Sequence, residues 1–457
     1  MNQKKYIFLA VLISSFMCPF LSISVNVAIP AMAAEFGSNA TELGWAVTSF
    51  LLGSASVLLP CGRLSDILGR KKLFRMGVAA VAVTSLLCGL SPNAEMLIAS
   101  RFLQGLSIAM IFVTGMAMLV SANDPKERGR VIGYSIAATY SGLSLGPFLG
   151  GLITHYASWR LIFFISTAVL AMSWWLCSKI EGEWHGNKKG GLDYRGSILY
   201  FISSLSIMYG LSVFVSEPLA PVLIGAGIGA GALFLLENRR SKAPLLDFSL
   251  FRNVIFAMSN AAAFLHYSAT FAISFLMSLY LQVIRGFDEV TAGTILLLQP
   301  IMMASLSPTA GKLSDRLEPR IVASMGMGMT ALGLFALSRC DIDTDLRIVG
   351  AILLFIGTGF AFFSAPNSSA IMGSVPPKEF GIASSIMSMM RIFGQSMSMV
   401  LVTLLISAYV LPAYETGYVE SLAAGIQKIF TLFSLICALG VGVSLMRGKR
   451  YSKRQNS

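Results

Sequence analysis

Asp66 and Arg70 carry opposite charges four residues apart in GRLSDILGRKK (residues 62–72), which holds five charged residues in eleven while the whole chain is 12% charged. Such a pair can bridge neighbouring helix ends, holding one arrangement closed and breaking in another; it is the bistable element that a switching protein needs. Gly62 and Gly69 in the same stretch allow close helix approach and tight backbone turns. Three other ionisable groups, Arg101, Arg391 and His266, stand deep in apolar runs, where charge is rare and usually functional. His266 alone among them titrates near neutrality. None of this is catalytic. The three His and six Cys form no HExxH or CxxC pattern, no P-loop or GxSxG occurs, and neither a metal nor a cofactor is implied.

The elements that position these groups follow from composition. The chain has 457 residues, is 55% hydrophobic and has a mean hydropathy of +0.73. A soluble protein of that balance would expose large apolar patches, so lipid is the expected solvent. A spanning helix needs about 20 mostly apolar residues. Such runs fall at 6–30, 43–61, 73–91, 95–120, 130–154, 160–178, 196–215, 219–236, 254–282, 289–310, 321–338, 346–371, 381–409 and 425–446. An all-α membrane protein with 14 transmembrane helices is expected. The first run is longer than the roughly 7–15 residues of a signal-peptide core, so it reads as an uncleaved helix. Of the 34 Lys and Arg, 27 lie in segments on the side of the N-terminus, five in loops on the other side, and two, Arg101 and Arg391, within helices. By the positive-inside rule both termini are cytoplasmic and the protein sits in an inner or plasma membrane. The net charge of +12 then reflects orientation rather than nucleic-acid binding.

The charged stretch recurs. GKLSDRLEPR (residues 311–320) repeats Gly62, Leu64, Ser65 and Asp66 as Gly311, Leu313, Ser314 and Asp315. It follows the second helix of the second of two six-helix sets, runs one to six and nine to fourteen. Three units are expected: a six-helix bundle over 1–180, a linker with a two-helix insertion over 181–253, and a second six-helix bundle with a basic tail over 254–457. Two like-oriented halves are a transporter signature, with the substrate path at their interface. In the fifth run Gly142, Gly146, Gly150 and Gly151 make a small-residue stripe on which another helix can pack, and Pro147 can bend that helix.

GRLSDILGRKK resembles the loop motif G-x-L-[A/S]-D-x-x-G-R-[R/K] of the major facilitator superfamily, departing from it at Ile67, where a basic residue is common. RFLQG (101–105) is similar to that family's fourth-helix motif, and GLSLGPFLGG (142–151) to the motif of its antiporters. With NVAIP (26–30), SWRLIFFI (158–165) and the segments LDFSLFRN and AGTILLLQP, the resemblance is to the fourteen-helix drug:proton antiporter branch. That resemblance implies multidrug-type efflux driven by protons. One residue departs from it: the branch commonly has an Asp where this chain has Leu21, and none of the 22 Asp and Glu lies deep in a run. His266 is therefore the first candidate to carry a proton.

A substrate and proton site is expected from Asn26, Arg101, Gln104, Asn260, His266, Gln299, Asn367, Arg391 and Gln395, set among Met and Phe. Two deep arginines without a deep acid favour neutral, zwitterionic or anionic amphiphiles. The expected function is a secondary active exporter of small amphipathic molecules acting as a monomer by alternating access, in exchange for protons. A proton-independent facilitator or importer of an organic anion is the alternative, and a membrane sensor the alternative of another class.

Overall fold

The computed structural model describes residues 3–38, 40–124, 127–186, 191–214, 217–241, 244–246, 248–287, 289–409 and 418–448. The first half contains α1 (Gln3–Phe36), α2 (Ala40–Ser56), α3 (Leu58–Leu68), α4 (Arg70–Gly89), α5 (Ala94–Ala122), α6 (Arg128–Tyr156) and α7 (Arg160–Ser178). A pair follows, α8 (Tyr194–Ser212) and α9 (Ala220–Arg240). The last part contains α10 (Val254–Thr270), α11 (Ile273–Leu279), α12 (Glu289–Leu296), α13 (Leu298–Arg316), α14 (Pro319–Leu337), α15 (Leu346–Gly373), α16 (Phe380–Tyr409) and α17 (Tyr418–Leu445).

Every one of the fourteen apolar runs is helical, but fewer helices are long and apolar enough to cross a bilayer. Among the described residues there are 11, or 12 when the bent pair α2–α3 counts as one span. The shortfall has two sources. α8 carries five serines in its 19 residues, and α13 ends in the charged segment around Lys312, Asp315 and Arg316 while α12 is only 8 residues long.

Residues 62–72 are not the loop that charge density suggested. They are helix on either side of a single break at Gly69, whose φ of 106° favours glycine. Gly62 therefore serves close approach inside α3, and only Gly69 serves a turn. The polar stretch after α7 is also ordered in part. Glu183 accepts hydrogen bonds from the backbone N–H of Lys71 (2.7 Å) and Lys72 (2.9 Å), capping the exposed N-terminus of α4.

One apolar core, including Leu59, Tyr140, Phe256 and Phe380, spans both halves, and two others coincide with one half each. One links buried residues from Ile7 to Ile180, and the other runs from Ala262 to Cys437. Within the first half α1 packs on α6 and α7, α2 on α5, and α4 on α5 and α7; within the second, α14 packs on α15 and α17, and α10 on α16 and α17. The halves meet through α6 against α13 and α15, and through α3 and α5 against α16. The α8–α9 pair leans on α2, where Trp45 stacks on Tyr209 at 5.2 Å and the Tyr200 hydroxyl donates to Ala55 O at 3.0 Å.

Candidate substrate cavity and gate

The candidate gating residues centre on Asp66 and Arg70. Asp66 and Arg70 are buried and paired, with 3.6 Å between carboxylate and guanidinium. Arg70 reaches beyond Asp66: it donates to the Ser121 hydroxyl in its own half (2.6 Å) and to the Pro377 carbonyl in the other half. A single side chain thus ties the two halves together. Around it the backbones close. A methyl on Gly62 would overlap the Ser385 hydroxyl, and one on Gly381 would overlap Ser65. The connecting chain adds a layer, because Trp184 O accepts from Arg70 N (2.9 Å) and Gly186 N donates to Asp66 O (3.1 Å).

The second copy is built differently. Asp315 accepts from the backbone N–H of Gly129 (2.9 Å) and Arg130 (3.1 Å), so it caps α6 from across the interface and complements the positive end of its dipole. Gly129 and Gly311 meet backbone to backbone at the same crossing.

Gly142 and Gly150 of the fifth run pack on α1. A methyl on Gly142 would overlap the Phe16 carbonyl, and one on Gly150 would lie 2.8 Å from the Ser24 side chain. Gly146 leaves 3.5 Å to the Phe20 carbonyl and Gly151 leaves 3.4 Å to Val27. Pro147 sits inside this helix without ending it.

Arg101 and Gln104 do not line a central cavity; they form a clamp inside the first half. The Arg101 guanidinium donates to Ala46 O (3.0 Å), Leu21 O (3.3 Å) and Gln104 Oε1 (2.6 Å) and lies 4.3 Å over the Phe50 ring, while Gln104 donates to Ser85 Oγ (2.7 Å). At Leu21, where the branch commonly has a carboxylate, the backbone carbonyl accepts from the arginine. His266 is sealed within the second half, 4.0 Å from the Phe363 ring, 4.5 Å from Phe360 and 3.9 Å from Cys437 Sγ. Asn260 donates to Phe256 O one turn back. Gln299 is buried in α13 with its carbonyl against Gly357, Asn26 is exposed, and Gln395 is half-buried. The sequence treated these as one set because all are polar in apolar runs, but helix rotation separates them.

The cavity itself, about 70 Å³, lies where α5 and α6 of one half face α10, α15 and α16 of the other. Of the expected residues it contains Asn367 and Arg391. Tyr140 and Tyr267, one from each half, converge on the Ser364 hydroxyl at 3.1 and 3.5 Å. Ser135, Thr139, Ser368 and Ser388 add hydroxyls, and Met116, Met387 and Phe363 add apolar wall. Arg391 lies 4.8 Å over the Phe112 ring, and the lining includes no Asp or Glu. The sequence missed the tyrosines, although both adjoin residues it singled out: Tyr140 stands two before Gly142, and Tyr267 follows His266.

The chain matches a family model described as Major Facilitator Superfamily over residues 11–399 and again over 259–456. The chain belongs to the Major Facilitator Superfamily. As a member of this transporter family with many long apolar helices, it is a multi-pass membrane protein. It is 27% identical over 395 residues to the riboflavin transporter RibZ of Clostridioides difficile, covering 86% of each chain. It is 29% identical over 411 residues to the multidrug resistance protein Stp of Mycobacterium tuberculosis, covering 88% of this chain and 76% of that one. The superfamily fold extends to a human organic anion transporter, MFSD10, whose crystal structure aligns with a TM-score of 0.67 at 15% identity over 96% of this chain and 98% of that chain.

At the opposite end from the gate, Glu35 at the close of α1 accepts from Trp159 Nε1 (2.6 Å) and pairs with Arg160, which also donates to Ser91 O (2.8 Å). Partial burial would raise the Glu35 carboxyl, but the hydrogen bonds and the guanidinium charge outweigh it and hold it below the usual range.

Proposed function

We propose that this chain exports small amphipathic molecules, neutral or anionic, by alternating access between two six-helix bundles, residues 1–180 and 254–457. The pair α8–α9 is then an insertion, the spans number fourteen, and the monomer sits in an inner or plasma membrane with both termini in the cytoplasm. The cavity carries the substrate class. Arg391 stands in it among tyrosine and serine hydroxyls and aromatic rings, with no acid in the lining. Such a lining attracts a planar or anionic amphiphile and repels a dication, because a cation would meet Arg391 in a low-dielectric site without a compensating carboxylate. The relatives named for riboflavin and for multidrug resistance support a small organic cargo. Alternating access rests on the Arg70 tie: it joins the halves at one end only and must break for that end to open.

Exchange for protons is what the antiporter branch implies. A second reading, uncoupled passage of an organic anion, is favoured by the acid-free cavity and by the sealed position of His266. One experiment separates them. Purified protein in proteoliposomes is tested for flux of riboflavin, fluorescein and the dication methyl viologen, with and without a pH gradient. Flux of the first two that falls at least tenfold in Arg391→Gln supports the cavity assignment. Methyl viologen flux equal to theirs overturns it. Gradient-independent flux selects the facilitator.

A further inference from the structure

Arg447 lies just past the end of α17, beside Glu318–Arg320 at the end of the second copy of the charged motif and outside the lining of the central cavity. It is 1% exposed, and none of its three guanidinium nitrogens has a hydrogen-bond partner among the described residues. A buried guanidinium without partners is strongly unfavourable, so its surroundings decide what it is for. It lines a cavity of about 30 Å³ together with Arg320, Glu318, Pro319, Ile255 and Ser374. Glu318 pairs with Arg320 at 3.4 Å, which leaves the charge of Arg447 unbalanced. Arg320 Nε is also buried without a hydrogen-bond partner among the described residues. The N-terminus of α14 begins at Pro319 and adds the positive end of a helix dipole.

We infer that Arg447 and Arg320 form a binding site for a phosphate-type oxyanion, a phosphodiester in a lipid headgroup or free phosphate. A guanidinium fork pairs with two anionic oxygens side by side, and the cavity holds about two water-sized groups, at roughly 10–15 Å³ each. One negative charge neutralises the net charge of Arg447, Arg320 and Glu318. The flanking side chains favour the lipid source. Leu317 and Ile321 beside Arg320, and Leu445 and Met446 beside Arg447, are large exposed apolar residues, able to meet acyl chain while the arginines hold the headgroup. Basic pockets between helix ends on the cytoplasmic side are suited to such headgroups, and residues 447–454 carry five Lys and Arg. The site is independent of the transported substrate.

The test uses the purified full chain in a neutral maltoside detergent, with thermal unfolding and native mass spectrometry as readouts. Phosphatidylglycerol at about one hundred times its dissociation constant should raise the unfolding temperature by about 3 °C and give a one-lipid adduct. Both effects should fall by more than half in Arg447→Gln and in Arg320→Gln. Should Arg447→Gln fail to fold, Arg320→Gln alone carries the comparison. A shift reproduced by inorganic phosphate assigns the site to the free anion; a shift given by phosphatidylglycerol alone assigns it to lipid. A response to phosphatidylglycerol that is undiminished in the variants overturns the proposal, as does the absence of any response to either compound.

Discussion

Asp66 and Asp315 occupy equivalent places in the two halves but do different work. Asp315 is a helix cap: two backbone N–H groups of α6 point at its carboxylate. Asp66 is a counter-ion: it is fully buried, neither oxygen has a hydrogen-bond partner among the described residues, and Arg70 is 3.6 Å away. A cap that loses its charge as Asn keeps one of its two bonds, since the single amide oxygen still accepts while the NH2 faces the other N–H. A buried counter-ion has no such fallback, because the guanidinium it leaves behind stays buried. Repetition of the motif thus preserved the close helix approach at Gly62 and Gly311, while the buried Asp66–Arg70 pair belongs to the first copy.

Removing the counter-ion should have the largest effect. Asp66→Asn leaves Arg70 uncompensated at about 3 kcal/mol, enough to change the ratio of closed to open gate about a hundredfold. Spin labels at Asn123 and Lys378, on opposite halves at the gate end, should report a longer distance. An unchanged distribution would put Asp66 and Asp315 on the same footing. Neutralising both members, Asp66→Asn with Arg70→Gln, should recover at least 1 kcal/mol relative to the single change; strict additivity in unfolding free energy would rule out coupling between them. Asp315→Asn should cost about 1 kcal/mol and leave the label distance nearly unchanged. A loss as large as that of Asp66→Asn breaks the distinction between cap and counter-ion.

The first copy also carries the connecting chain. Glu183→Gln weakens the cap on α4 by about 0.5 kcal/mol, readable as a drop of about 0.5 °C in unfolding temperature. The smallest effect lies at the far end. Glu35 has a lowered carboxyl pKa in the folded state, so its contribution is fully present above the ordinary Glu value of about 4.3 and is lost as pH falls through the lowered value. It is half exposed, and salt weakens its pairing. The stability difference between wild type and Glu35→Gln should vanish at the acid end of a pH series; a difference that grows there contradicts the sign.

Hydropathy located the helices because a spanning segment must be apolar along its whole length, and the repeated glycines marked close crossings between the halves because backbone approach tolerates few residue types. The cavity was less legible. Arg101 and Arg391 look alike in sequence, yet one binds backbone carbonyls inside its half and the other faces the cavity. Backbone acceptors leave no trace in side-chain identity. Tyr140, Tyr267 and Ser364 became a site only when two separately encoded halves met. The cap by Glu183 was hidden because a polar stretch with glycines reads as linker whether or not it docks.

The glycine stripe between α6 and α1 has a geometric consequence of its own. Gly142, Gly146 and Gly150 sit over the carbonyls of Phe16, Phe20 and Ser24, and both series advance by four residues. Two combs of equal pitch fit just as well after slipping one tooth, about 6 Å along the axis. The stripe therefore sets how far apart the two helices lie but not which turn faces which. That choice falls to something aperiodic, and the Ser15–Ser135 hydroxyl pair at 2.9 Å is such a pin.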